Sequence, residues 1–328
     1  YKKTAILMGN KMALSYGITA NIEQCERMIS AKKQGFSSLR KPLALQLNSL
    51  EDEYAPILLK GGEVLFFTAR RPETTGENLN PDDSKYFEDM YRANWNPITM
   101  DYEMDYEFFK SINTNGFDAL SFVNKEGTYA LLTVNTAYTE KTTKSSDLFE
   151  LYSDEPFDWS SPTVLKGKGL NTDYFEGSAT LAEGGENGAF MVFTSDRRAD
   201  VSGLDLFSTI KSDLGFGPII PLPKEINSEG NETTPFITSD GKFLFFSSDE
   251  LPGFGGYDIF YSMFENGSWS TPVNLGPEIN SVNDDTHFNI DLSAKKASFA
   301  SMAEKDGYYS YDLFQADLST ATYPFIIK

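Results

Sequence analysis

Five times along the chain an Asn followed by Ser or Thr stands five positions ahead of a carboxylate, giving Asn48/Glu53, Asn113/Asp118, Asn171/Glu176, Asn227/Glu232 and Asn280/Asp285. Clustered carboxylates support three kinds of chemistry. Two of them facing each other across a pocket, ~5 to 9.5 Å apart, can hydrolyse a glycosidic bond. Several of them with amide carbonyls can hold a hard cation, although no loop here has an EF-hand pattern. As a negative ring they can draw in a basic or extended segment of a partner protein. Hydrolysis needs an acid and a base in different environments, whereas these five come from one repeated element. The same residues also have a structural reading: Asn and acidic side chains cap a turn by accepting backbone N–H groups, and folding needs the same turn in every copy.

Other chemistry is thinly supplied. Cys25 is the only cysteine and His287 the only histidine, so no intrachain disulfide and no Cys/His zinc site can form. Ser/His/Asp or Cys/His catalysis would have to run through His287. That residue is counted with the ring as a binding candidate, its plainer reading being an ordinary polar residue on a strand. No cofactor and no metal is expected.

The elements that carry the carboxylates recur. EDMY ending at Tyr91, SDLF at Phe149, LDLF at Phe207, YDIF at Phe260 and YDLF at Phe314 share an Asp, an aliphatic residue and an aromatic. Their aspartates, Asp89, Asp147, Asp205, Asp258 and Asp312, recur at a regular period, the mark of a repeat architecture, and are read as structural. Before each lies an apolar run: VLFFTA, YALLTV, FMVFTS, FLFFSS and ASFASM, which read as buried strands. WSSPTVL, FGPIIPL and WSTPVNL follow as a fourth strand. Each unit is a four-stranded antiparallel sheet that stacks around an axis, a β-propeller blade. Five blades are expected, six if an insertion hides a degenerate one. The last unit lacks its fourth strand and RKPLALQLNS from Arg40 supplies it, closing the ring.

Residues 1–38 form a helical hairpin before the propeller of residues 39–328. Helical signals run over residues 5–16 and 22–33, with Asn21 as N-cap and Cys25 on the buried face. The first blade carries two long insertions, RRPETTGENLNPDDSKYFE and NWNPITMDYEMDYEFF, and long loops on a rigid scaffold are where binding usually resides. The glycines of GGYDIF are absent from the other copies and belong to a local turn.

A formal charge of −20 repels phosphate backbones and anionic headgroups, which argues against nucleic-acid and membrane-surface binding. No apolar run approaches the ~18 residues of a membrane span, and no leader is read at Tyr1.

At LNSLEDEYAPILLKGGEVLFFTARRPETTG with KYFEDMY, and TPFITSDGKFLFFSSDELPGFGGYDIFY with WSTPVNLGPEINS, the chain resembles the WD-repeat-like, TolB-type propellers of bacterial envelope proteins. The subgroup it is similar to strings a tetratricopeptide segment, a propeller and an OmpA-like peptidoglycan-binding domain together, as in type IX secretion. Two departures stand out: no OmpA-like domain follows Lys328, and about one helical hairpin precedes the propeller. The resemblance implies a periplasmic protein, anchored at the outer membrane as a lipoprotein, that acts as a non-catalytic scaffold for an envelope protein partner, with peptidoglycan reached through a neighbouring domain. The alternative is a five-bladed propeller glycoside hydrolase or glycan-binding protein using carboxylates at the channel.

Overall fold

The computed structural model describes residues 2–8, 18–135, 146–184, 188–198, 203–305 and 307–326. They form a five-bladed β-propeller of antiparallel sheets. The innermost strands are Glu53–Leu59, Phe117–Val123, Glu176–Ala182, Glu232–Ile237 and Asp285–Asp291. Each pairs with one of the apolar runs, which pairs in turn with a strand that carries a repeated Asp, at its first residue in four blades and inside Tyr308–Asp317 in the fifth. The fifth blade takes its outermost strand from the beginning of the chain: Arg40–Pro42 lies antiparallel on Tyr308–Asp317, with Arg40 opposite Ala316. That pairing covers the edge that an unclosed ring would expose.

The repeated Asp-aliphatic-aromatic motif is explained by register. In four blades its aromatic stands opposite a Phe of the apolar strand, giving among others the stacked pairs Phe67/Tyr91, Phe246/Phe260 and Phe299/Phe314, with centroids 5.6, 6.1 and 5.8 Å apart, while Phe149 of the second blade stands opposite Leu132. Cross-strand aromatic pairs of this kind stabilise a sheet. The Asp ties down the loop before its strand. Asp89 accepts from the Thr75 N–H (2.7 Å), Asp258 from the N–H groups of Phe254 and Gly255, Asp205 pairs with Arg198, and Asp312 pairs with Lys305. In GGYDIF the glycines mark close approach: a Cβ on Gly255 would sit 2.1 Å from the Asn283 carbonyl oxygen.

Two expectations for the N-terminal segment need correction. The helices span Lys2–Met8 and Ile18–Gln34, so Asn21 lies inside the second helix and is not its N-cap, while residues 9–16 of the first expected helix lie outside the described residues. Cys25 is exposed; the helix buries Ile18 and Met28 instead. It docks on the fourth blade through polar groups, with Gln24 Nε2 donating to the Gly255 carbonyl and Arg27 Nε to that of Gly253, both at 2.5 Å. Among the described residues no helix is long and apolar enough to cross a membrane.

Candidate functional site

The ten residues of the repeated Asn/acid pairs hold the blades together. Each Asn side chain bonds twice to one residue of the preceding blade's third strand, accepting its N–H and donating to its carbonyl. Asn227 does so with Leu206 (2.9 and 3.0 Å), Asn280 with Ile259 (2.9 and 2.9 Å), Asn171 with Leu148, Asn113 with Met90 and Asn48 with Leu313. Only an amide has both the donor and the acceptor this needs, which is why the position is Asn and not Asp in every blade.

The acids have no solvent exposure: Glu53, Asp118, Glu176, Glu232 and Asp285 are each 0% exposed. Each accepts the N–H of the Ser or Thr four residues earlier, as Glu232 does from Ser228 at 2.7 Å. Three carry a guanidinium as well. Arg71 reaches Glu53 at 2.9 Å, Arg197 reaches Glu176 at 2.7 Å, and Arg40 reaches Asp285 at 2.9 Å. Each of these arginines also lies over an aromatic of the same blade: Phe67, Phe193 and Phe314. Asp118 has no such partner among the described residues, and burial pushes its carboxyl up to about 7.

The water-reachable surface of the mouth is built by the neighbours of these fixed positions. Immediately before the five acids stand Asp52, Phe117, Phe175, Asn231 and Asp284; immediately before the five repeated aspartates stand Glu88, Ser146, Leu204, Tyr257 and Tyr311. The backbone brings the two sets together, because the N–H groups of Asp118, Glu176, Glu232 and Asp285 donate to the carbonyls of Glu88, Ser146, Leu204 and Tyr257. Strand alternation then gives each set a different outlook from its buried neighbour.

One sector of this rim concentrates polar and aromatic groups. Tyr54, the residue after Glu53, lies beside the Glu88 carboxylate, and burial together with Glu88 raises its phenol well above its ordinary value. Glu88 is itself raised by burial, with Tyr54 and Arg70 pulling the other way. Arg70 is fixed by Asp83 in a two-point pair (2.6 and 3.0 Å) and by the Tyr86 carbonyl (2.7 Å). Across the closure between the first and fifth blades, the Tyr311 hydroxyl donates to Asp284 at 3.2 Å, and Asp284 also accepts the Tyr257 N–H at 3.0 Å. Tyr54 links the two sides, with its ring centroid 6.4 Å from that of Tyr311 and 5.3 Å from that of His287. Tyr54, Glu88, Tyr257, Asp284, His287 and Tyr311 are all half-buried, lining the mouth without being sealed in it.

His287 is placed in the channel by a bulge. Two residues beyond the acid, Ala55, Ser178, Thr234 and His287 adopt left-handed backbone, with φ of 50°, 50°, 48° and 54°, where the inner strands slip register. Burial lowers the imidazole to about 3, so it is neutral at physiological pH. Below it the channel narrows to a cavity of ≈ 40 Å³ between the inner strands. Among the described residues no group of three or more His, Cys, Asp and Glu side chains is placed to hold a metal ion.

Tyr54, Glu88, Asp284 and Tyr311 were not among the sequence candidates. Their signal was variation: they flank the repeated positions and change type from blade to blade.

No protein-family model and no curated protein sequence matches the chain. Solved structures match it in fold. One described as a glycoside hydrolase aligns with a TM-score of 0.56 at 10% identity, covering 88% of this chain and 94% of its own. A structure of BT0996 in an RGII complex aligns with a TM-score of 0.55 at 9% identity, with the same coverages of 88% and 94%. An endo-arabinase from Bacteroides thetaiotaomicron gives 0.48 at 15% identity over 84% of this chain and 96% of its own. The first two place the chain among five-bladed propellers over nearly its whole length.

These neighbours correct the resemblance drawn from the sequence. The neighbour with the TM-score of 0.56 is described as a glycoside hydrolase, not as a TolB-type or WD-repeat envelope protein with tetratricopeptide and OmpA-like domains, and the expectation of a non-catalytic scaffold is corrected with that resemblance. The physical reason lies in the motifs that carried it. The Asn staple, the acid-capped turn and the aromatic pair build any blade joined in this way, and carry no information about what the mouth holds.

Proposed function

We propose that the protein is a glycoside hydrolase of the propeller type, with its sugar site at the mouth around Tyr54. The observation that carries this reading is a pair of carboxyl groups in unlike surroundings on either side of the Tyr54/Tyr311 pair. Burial biases Glu88 toward its protonated form, while Asp284 accepts hydrogen bonds from the Tyr257 N–H and the Tyr311 hydroxyl. Unlike environments for two carboxyls are what acid and base roles require, and the five repeated acids, each 0% exposed, have no face open to a substrate.

In this reading the Glu88 carboxyl gives its proton to the glycosidic oxygen as the bond from that oxygen to the anomeric carbon breaks. On the opposite face of the sugar the Asp284 carboxylate takes a proton from a water as that water's oxygen bonds to the anomeric carbon. The half-buried rings of Tyr54, Tyr257 and Tyr311 supply apolar faces and hydroxyls to a bound sugar. The fold shared with a solved glycoside hydrolase supports the class of chemistry.

The test is release of reducing ends, or of aryl groups, from a panel of polysaccharides and aryl glycosides. Wild type should cleave at least one member, and Glu88→Gln should lose cleavage while staying folded. A wild type inert across the panel, or a Glu88→Gln variant as fast as wild type, overturns the proposal.

A further inference from the structure

The two insertions of the first blade meet. Glu73 and Thr75 from the first, and Asp105, Tyr106 and Glu107 from the second, line one groove of ≈ 510 Å³ together with Asp89, Tyr91 and Lys110. The floor of this groove contains buried polar atoms that form no hydrogen bond among the described residues. Tyr91 is 6% exposed and its hydroxyl has no such partner. Asp89 is 3% exposed; Oδ2 is held by Thr75, but Oδ1 lies near the Thr74 and Asn113 side chains without a formed hydrogen bond. Leaving such groups unpaired is costly, and they point to a ligand that would satisfy them.

We infer that this groove is a second saccharide-binding site, reached from the first through the strand that begins at Asp89. The inference rests on the glycan reading of the mouth and extends it. Glu88 immediately precedes Asp89, the first residue of that strand, and the two side chains part: Glu88 meets Tyr54 while Asp89 lines the groove. A chain of sugars that places one residue at Glu88 has the groove beside it.

The chemistry of the lining fits a neutral polyol. Glu73 and Asp105 offer acceptors for sugar hydroxyls, Tyr91 offers a donor, and the Tyr106 ring, 55% exposed, offers a flat apolar face at the rim. Lys110 is held by Glu107 at 2.9 Å, which leaves no free cation among the described lining residues to recruit an anionic ligand. A polymer that occupies both mouth and groove gains from the second contact by raised effective concentration, with no change in the first.

The experiment is affinity electrophoresis of the full chain through gels containing soluble arabinan, xylan, mannan or mixed-linkage glucan, with hydrolysis assayed in parallel on an aryl glycoside too small to reach the groove. Tyr106→Ala and Tyr91→Phe are the variants, with thermal unfolding confirming that each is folded; Tyr106 is exposed, so its removal spares the core. The expected result is retardation of wild type by at least one polysaccharide and a roughly tenfold weaker apparent Kd for Tyr106→Ala, the size of one lost ~1.4 kcal/mol contact, with the aryl glycoside rate unchanged. Retardation that depends on Tyr106 without any hydrolysis keeps this site and removes the hydrolase reading. Wild type that is not retarded by any gel, or folded variants retarded equally with wild type, would overturn the inference.

Discussion

The ring of Tyr54, from the first blade, lies 5.3 Å from the imidazole of His287, from the fifth, at an interplanar angle of 32°. This contact spans the seam where the ring closes. At the floor of the mouth His287 sits on its strand's bulge with Tyr54 against it, and Glu88 and Tyr311 are the further neighbours of Tyr54. A neutral imidazole under a phenol gives that floor an uncharged surface, against which the carboxyls of the rim are the ionisable groups.

Glu88 and Tyr54 should separate in a pH profile. Replacing Glu88 by Gln removes the proton donor and should lower kcat by about 10²-fold or more, the scale of general-acid catalysis. Tyr54→Phe has a different effect. The Tyr54 bond lowers the Glu88 value against the raising effect of burial, so its loss should move the limb reporting the protonated donor to higher pH. A limb that stays in place, or moves down, would show that Glu88 is not the group being titrated.

Arg71→Ala should test the frame apart from the mouth. The Arg71 and Glu53 side chains are 4% and 0% exposed and paired at 2.9 Å; removing the guanidinium leaves Glu53 buried with its Ser49 bonds alone. The expected loss is about 3–5 kcal/mol, as for other buried pairs broken from one side. Chemical denaturation reads it directly. A loss within the error of the titration would mean that Glu53 takes up a proton and needs no partner.

Stability should fall on both sides of a middle pH range, for two different reasons. Burial raises Asp118 and Asp258 to about 7, so their contribution is complete below the unfolded value near ~4 and is lost as pH rises through about 7. His287 is held down at about 3, so its contribution is present above ~6.5 and is lost as pH falls toward 3. Asp118→Asn keeps an acceptor for the Thr114 N–H and hydroxyl and cannot ionise. Between pH 5.5 and 8.5 it should lose less stability than wild type in urea titrations. Equal losses would remove Asp118 from the account.

Ring closure should be visible by truncation. A chain lacking residues 1–34 keeps the Arg40–Pro42 strand and should remain a closed propeller. One lacking residues 1–42 uncovers the edge of Tyr308–Asp317 and loses the Arg40 bonds to Asp285 and the Ile279 carbonyl. It should melt at a lower temperature than the shorter truncation and associate through the bare strand. Two truncations with the same melting temperature and both monomeric would show that the seam does not depend on the strand.

The sequence by itself determined the propeller, its five blades and its closing strand, because a blade is local. Strand pairing, the Asn staple and the aromatic pair each need residues at fixed separations along the chain, and those separations repeat. Asn227 reaches Leu206 wherever two such blades stack in sequence order, so its type and spacing were legible. What the mouth holds was decided by tertiary structure. Tyr54 comes from the opposite end of the sequence to the Asp284/Tyr311 pair and meets Tyr311 only when the ring shuts, so no spacing encodes that contact. The repeated acids misdirected the reading for the same reason: identical neighbours in five blades mark groups that the fold consumes, and carboxyls become inequivalent only where different blades, and the two insertions of the first, surround them with different partners.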